Sequence, residues 1–265
     1  MMNMKKMTKP GMFALVVTMM MTSCVNKLDT LPLSSDMGAM VDVTRNLTGF
    51  EEIEINGSPP VYFTQTDSFS VVVKGPEKII EDIITEKEGK TLVIRNRGKV
   101  GIFNISFHDD EHLGVYVTAP DIVGVRLNGS GDFLSEERID TDKMRIVLRG
   151  SGDIDVKNLI CDQCDIELVG SGDIDVNRLE AQKVSSSLIG SGDIKLNLWN
   201  VMDTNLLLKG SGDIDANFKQ GCRTVSCDLN GSGDISLSGK IMRFSQQKRG
   251  SGDVNIGKLS VEQIK

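Results

Sequence analysis

Four groups of residues in this 265-residue chain have types and spacings that could do chemistry. Asp132, Asp153, Asp173, Asp193, Asp213, Asp234 and Asp253 each close a Gly-Ser-Gly-Asp motif. A row of such carboxylates could take calcium, as Gly-x-Gly-x-Asp loops do in β-rolls. Asp155, Asp175 and Asp215 recur two residues after three of those aspartates, and paired carboxylates can cleave glycosides. His108-Asp109-Asp110-Glu111-His112 joins both histidines of the chain to three carboxylates, a set able to hold a divalent metal. Cys161-Asp162-Gln163-Cys164 is a CxxC pair.

Each group also has a plainer account. Asp commonly accepts a local backbone N–H in a tight turn, which would satisfy the motif aspartates without metal. The calcium β-roll repeats every nine residues with two facing turns, whereas the motif here recurs about every twenty. The second aspartate row follows the repeat and has no His or Arg cluster beside it, so it reads as a solvated face. The His cluster falls between two alternating segments and reads as a loop. No second CxxC completes a zinc site. Cys161 and Cys222 instead share a repeat position with Thr141, Ala181, Val201 and Ile241, a core row of small groups. They sit three repeats apart, ~14 Å at the strand stacking distance, beyond disulfide reach. A Cys161–Cys164 or Cys222–Cys227 bridge would be compatible with an oxidising compartment.

The elements that position these groups follow from the repeat. The motifs begin at Gly129, Gly150, Gly170, Gly190, Gly210, Gly231 and Gly250, at steps of 21, 20, 20, 20, 21 and 19 residues. A fixed period of this size marks a solenoid, in which one coil cannot bury its apolar face alone. Two residues before the motif stand Leu127, Leu148, Leu168, Leu188, Leu208 and Leu229, then Lys248. Apolar residues also dominate the positions four and six before, with polar residues between: a strand with one buried face. A second alternating strand follows, opening on Phe133, Ile154, Ile174, Ile194, Ile214, Ile235 and Val254. Each coil is therefore strand, glycine turn, strand and a looser return such as residues 157–160. The glycines let the chain reverse through positive φ. Coils in register predict an all-β, single-stranded parallel β-helix with a two-walled core, right-handed by the usual crossover preference. Lys248 and Gln246 in the last coil, with the tail from Leu259 to Lys265, predict a polar end that stops further stacking.

Residues 45–128 alternate less regularly, at Ile53/Ile55, Val61/Phe63, Val71/Val73, Leu92/Ile94, Phe103/Ile105/Phe107 and Val115/Val117. Glu88-Gly89-Lys90 predicts a hairpin turn and residues 76–84 a short helix. This part reads as the N-terminal portion of the same body, 45–128 ahead of the regular coils 129–265.

The start of the chain reads as an export signal. Lys5, Lys6 and Lys9 precede a short apolar run, Met12 to Met21, too short to span a bilayer. The run ends in Met21-Thr22-Ser23-Cys24, which resembles a lipobox, with Cys24 as the lipid attachment site after removal of residues 1–23. Val25 after the cysteine resembles the sorting signal for the outer membrane. Residues 24–44 read as a flexible tether. Losing those three lysines leaves the body more acidic than the full chain's formal charge of −7. That balance argues against nucleic acid. Trp199, Tyr62 and Tyr116 are the only Trp and Tyr, a poor supply of sugar-stacking platforms.

The opening Arg45-Asn46-Leu47-Thr48-Gly49-Phe50, followed by Ile53, Ile55 and the seven coils, resembles the head GIN domain family of bacterial lipoproteins described as auto-transporter adhesins. The resemblance covers roughly residues 45–260. It implies a β-helix and a role in adhesion, with no catalytic residue to carry over. The combined reading is a non-enzymatic envelope lipoprotein that needs no cofactor. It would be held to the membrane by its lipid and present repeated flat faces to a protein or glycan. Two alternatives stand beside it: a carbohydrate-active enzyme using Asp155, Asp175 or Asp215, and a calcium-stiffened structural element.

Overall fold

In a computed structural model of the chain, the structure describes residues 38–98 and 113–264. The chain divides into two units, Met1–Ser35 and Asp36–Lys265, and every described residue belongs to the second. The export signal, Cys24 and the His108–His112 cluster lie outside the described residues.

The repeating half builds one coil per motif. Its strands are β8 (Gly124–Gly129), β9 (Asp132–Asp140), β10 (Lys143–Gly150), β11 (Asp153–Gly170), β12 (Ile174–Gly190), β13 (Ile194–Trp199), β14 (Val201–Gly210), β15 (Ile214–Gly231), β16 (Ile235–Gly250) and β17 (Val254–Ile264). All pair in parallel with a one-coil offset. Leu148 lies beside Leu168, Leu168 beside Leu188 and Leu188 beside Leu208. The leucine row from Leu127 to Leu229 is 0% exposed throughout. Phe133 and the isoleucines after the motif, from Ile154 to Ile235, are equally buried. The architecture is a parallel β-helix, as the twenty-residue period requires.

The return segment departs from the expected loose loop. Leu159 pairs with Leu179, Ile160 with Glu180 and Cys161 with Ala181, so β11 and β12 run unbroken from one motif to the next. Leu159 and Leu179 are fully buried. Each coil thus has a third, short side. Its corners, such as residues 157–158 and 162–163, place two successive side chains outward. That doubling breaks the period-two count, so the segment reads as a loop in sequence.

Among the described residues, eight elements precede the regular coils: β1 (Met40–Thr44), β2 (Glu52–Gly57), β3 (Val61–Gln65), β4 (Ser70–Pro76), α1 (Glu77–Ile80), β5 (Ile83–Glu88), β6 (Thr91–Asn96) and β7 (Gly114–Ala119). The helix and the β5–β6 hairpin fall where expected. The coil order does not follow the chain. β2 is sandwiched between β6 and β8, and β3 between β7 and β9. The first coil in sequence is therefore the second in space. β4 then pairs antiparallel with β7, and β1 antiparallel with β4. β1 corrects the tether reading, because its five residues lie inside residues 24–44. Val41 and Val43 alternate with Asp42 and Thr44, and Asp42 pairs with Lys74 at 3.3 Å. Two apolar residues are too short a pattern to distinguish from a polar tether.

The far end also differs from expectation. Residues from Leu259 onward are not a separate polar cap; they continue β17 along β16, with Leu259 beside Gly239 and Val261 beside Ile241. Gln246 and Lys248 are exposed and polar as predicted, but they blunt only one side of the last coil.

Candidate functional site

Two features follow from the stacked coils: a column of glycine turns and three outward faces.

In the column, both glycines of each motif are dictated by the neighbouring coil. At six of seven copies the first glycine has φ between +124° and +149°, a region that L side chains avoid. A Cβ there would lie 2.0–2.1 Å from the preceding coil's glycine carbonyl oxygen. The second glycine is excluded by contact alone. A Cβ on Gly152 would lie 1.8 Å from the Gly131 oxygen, and one on Gly192 would lie 1.9 Å from the Gly172 oxygen. The close approach lets one carbonyl accept two N–H groups, as Gly170 does from Ser191 (2.9 Å) and Gly192 (3.3 Å). Gly57-Ser58-Pro59-Pro60 is an eighth, degenerate turn in this column, its Gly57 oxygen accepting from Ser130 and Gly131 at 2.9 Å each. The Gly-Ser pair before Val61/Phe63 is the sequence signal that marks it.

The motif aspartates form a ladder of backbone bonds. The backbone N–H of Asp173 donates to the Asp153 carboxylate at 3.0 Å, Asp193 to Asp173 at 2.9 Å, and Asp234 to Asp213 at 2.7 Å. Each carboxylate from Asp132 to Asp234 thus spends one oxygen on the next coil's backbone. The turn aspartates are satisfied by N–H groups as expected, though the donor comes from the next coil and not the same turn. Lys248 closes the far end of the ladder at 2.5 Å from the Asp253 carboxylate. At the near end, burial pushes the Asp132 carboxyl above its usual range, the Asp153 N–H opposes the shift, and the Asp153 charge adds to it. Among the described residues, no three His, Cys, Asp or Glu side chains converge as a metal site would need.

Cys161, Cys164, Cys222 and Cys227 are free, buried thiols. Cys161 and Cys222 occupy the predicted small-residue row. The Cys164 thiol is pushed well up by its hydrogen bond with Cys161 and by burial, and burial pushes Cys227 up to about 12. All four behave as small core groups.

The outward faces differ in how far their polar groups are already paired. On the face before the motif, Arg145 and Arg149 both bind Glu167 (3.1 and 2.9 Å), and Ser226 donates to Asn205 (2.6 Å). On the return side, Gln182 bonds Asp162 (2.7 Å) and Asn200 bonds Glu180 (2.8 Å). Shallow grooves on these two sides measure about 450 and 370 Å³. The face after the motif carries a groove of about 650 Å³, spanning the coils from Asp175 to Lys258.

That face holds the predicted aspartate row, which is not a run of carboxylates. Lys195 stands in register between Asp175 and Asp215, and Lys157 pairs with Asp155 at 3.0 Å. Burial raises the Asp175 carboxyl, the Asp155 charge raises it further, and Lys195 and Lys157 pull it back. The row continues through Ser236 and Asn255. A second row two residues on, Asn197, Asn217 and Ser238, runs beside it. This pair of rows escapes a search for catalytic motifs, although the asparagines recur at the coil period. Tyr62 and Tyr116 belong to the same face but stack on each other (4.8 Å), with Lys74 over Tyr116. Arg178 covers Trp199 at 4.4 Å.

A family model described as "Putative auto-transporter adhesin, head GIN domain" matches residues 49–221 and 190–265. Among solved structures, a putative adhesin from Bacteroides fragilis NCTC 9343 is 21% identical with a TM-score of 0.66, over 84% of this chain and 97% of that one. A putative lipid binding protein from Parabacteroides distasonis ATCC 8503 is 22% identical with a TM-score of 0.62, over 86% and 96%. A putative adhesin from the same strain is 18% identical with a TM-score of 0.61, over 84% and 97%. At these identities the likeness is one of fold. The comparison with curated proteins finds no match.

Proposed function

The chain belongs to the auto-transporter adhesin head GIN domain family, and on that premise we propose that it is a non-enzymatic binding scaffold of the cell envelope. In this reading Cys24 carries lipid, residues 25–39 act as the tether, and the β-helix presents its polar faces to a partner outside the membrane. The observation that carries it is the division of residue types across each coil. The apolar rows are spent inside the stack, while the outward positions of successive coils are mostly polar, with Ile189, Met202 and Met242 exposed among them. Repetition of a weak contact along a rigid body raises avidity without any one strong site. An enzyme needs a single differentiated site, and the row of Asp155, Asp175, Lys195 and Asp215 does not supply one.

The lipid anchor is consistent with this role, because several acyl chains at one cysteine hold stably where one chain does not. The test uses intact cells. Cells that make the full chain should adhere to matrix- or glycan-coated surfaces better than cells lacking it, and external protease should abolish the difference. Replacement Cys24→Ala should release the chain from the membrane fraction. Equal adhesion with and without the chain, on every coating, would overturn the scaffold reading.

A further inference from the structure

The centre of the groove on the face after the motif is built from six side chains whose hydrogen-bonding capacity is unspent. Lys195, Asp215 and Ser236 line one row, and Asn197, Asn217 and Ser238 the other, three coils deep and two columns wide. Among the described residues none of the six makes a side-chain hydrogen bond or close ion pair, whereas the other two faces are laced by such bonds. Asn197, Asn217, Ser236 and Ser238 are half-buried in the groove, so they are partly desolvated without compensation from the protein. A partner able to donate and accept at each coil would recover what burial costs them.

We infer that this groove binds an uncharged glycan chain lying along the β-helix axis. The proposal rests on the scaffold reading above and names its site and ligand class. Amide and hydroxyl groups both donate and accept, which matches sugar hydroxyls. They recur at ~4.8 Å, close to the ring-to-ring repeat of an extended glycan. The groove's charges cancel in pairs, with Asp175 and Asp215 set against Lys195 and Lys258, so a polyanion gains nothing from entering it. A peptide would need an open strand edge or apolar side-chain pockets. Beneath Lys195, Asp215 and Ser236 the strand backbones are paired with a coil on each side, and the apolar neighbours Leu196, Ala216 and Leu237 point into the core at 2–3% exposure. With the aromatic faces covered by Lys74 and Arg178, the grip comes from hydrogen bonds rather than stacking.

The test presents the full chain, purified in detergent, to immobilised neutral glycans (mannan, β-glucan), anionic glycans (polygalacturonate, heparin) and matrix proteins. The inference expects saturable binding to at least one neutral glycan. The triple variant Asn197→Ala/Asn217→Ala/Ser238→Ala should weaken that binding about tenfold or more, by loss of several hydrogen bonds. Its thermal midpoint should be unchanged, since those side chains hold no partner in the fold. A second triple variant on the face before the motif, Ser185→Ala/Asn205→Ala/Ser226→Ala, should bind like the parent. Equal weakening by both variants, or by neither, would overturn the groove assignment. Binding confined to matrix proteins or polyanions would overturn the glycan while leaving the scaffold standing, and absence of any partner would remove both. Shortening of the glycan on incubation would replace binding by catalysis and overturn the inference.

Discussion

The two ends of the β-helix solve the same problem differently. At the N-terminal end, β4, β5 and β1 turn antiparallel and fold over the first coils, so that Val71, Val73 and Ile83 are fully buried. At the other end β17 simply continues the parallel stack. Val254, Ile256, Leu259 and Val261 remain half-exposed there, in rows that are buried in the preceding coils except at Gly239. Repetition supplies identical rows and a glycine column, but closing an edge needs strands of opposite direction or charged positions. The protein uses the first device at one end and a partial version of the second, Gln246 and Lys248, at the other.

Substitutions along the glycine column should show the largest contrast. Gly192→Ala places a methyl 1.9 Å from a backbone oxygen in mid-stack and should cost about 3 kcal/mol or more, or prevent folding. Gly57→Ala meets the Asn96 side chain instead, at 2.4 Å, at a φ of +120° that L side chains avoid, so rotation of Asn96 relieves only part of the strain and the cost should be intermediate. Gly257→Ala near the open end meets nothing within 4 Å and should be silent. Denaturant melts of the three variants check the order, and equal losses would sink the claim that close coil approach demands glycine.

Core truncation should follow the same gradient. Leu188→Ala, 0% exposed, should cost about 2–5 kcal/mol. Ile256→Ala in the half-exposed last coil should cost roughly half as much or less, since less apolar area leaves water there in the first place. Equal costs would mean that the end is covered in solution.

The aspartate ladder gives a smaller effect. Asp193→Ala removes an acceptor from the Asp213 N–H (3.1 Å) and should cost about 1 kcal/mol. Asp193→Asn keeps an acceptor oxygen and should cost less. At the half-buried start of the ladder the sign of the pH dependence is opposite to that of a paired carboxylate. The folded-state pKa of Asp132 lies above its ordinary value, so the folded protein holds the proton more readily than the unfolded chain. Stability from this residue falls as pH rises through the window between the two values. Asp132→Asn should flatten that slope, and an unaltered melting profile between pH 3 and 6 (roughly, from the usual carboxylate range upward) would contradict it.

Much of the stack was legible because one residue type at one spacing repeats. Leu127 to Leu229, the post-motif isoleucines and the shared row of Cys161 and Cys222 all sit where the period places them. Three things were not legible. The third side hides behind corners where two outward residues interrupt alternation. The insertion of β2 between β6 and β8 is a matter of spatial order, to which alternation is blind. β1 offers only Val41 and Val43 as signal. The candidate site was half legible: the aspartate row was seen, but its alternation with Lys195 and the unpaired amides beside it gain meaning only when the coils are stacked.

Residues one repeat apart lie side by side, about 4.8 Å apart. Nitroxide labels on cysteines replacing the exposed turn residues Ser171, Ser191, Ser211 and Ser232 read that distance directly. The account predicts strong spin–spin broadening for Ser191 with Ser211, weaker broadening for Ser191 with Ser232, and the weakest for Ser171 with Ser232. Spectra for Ser191 with Ser211 that match the sum of the two single labels would contradict it.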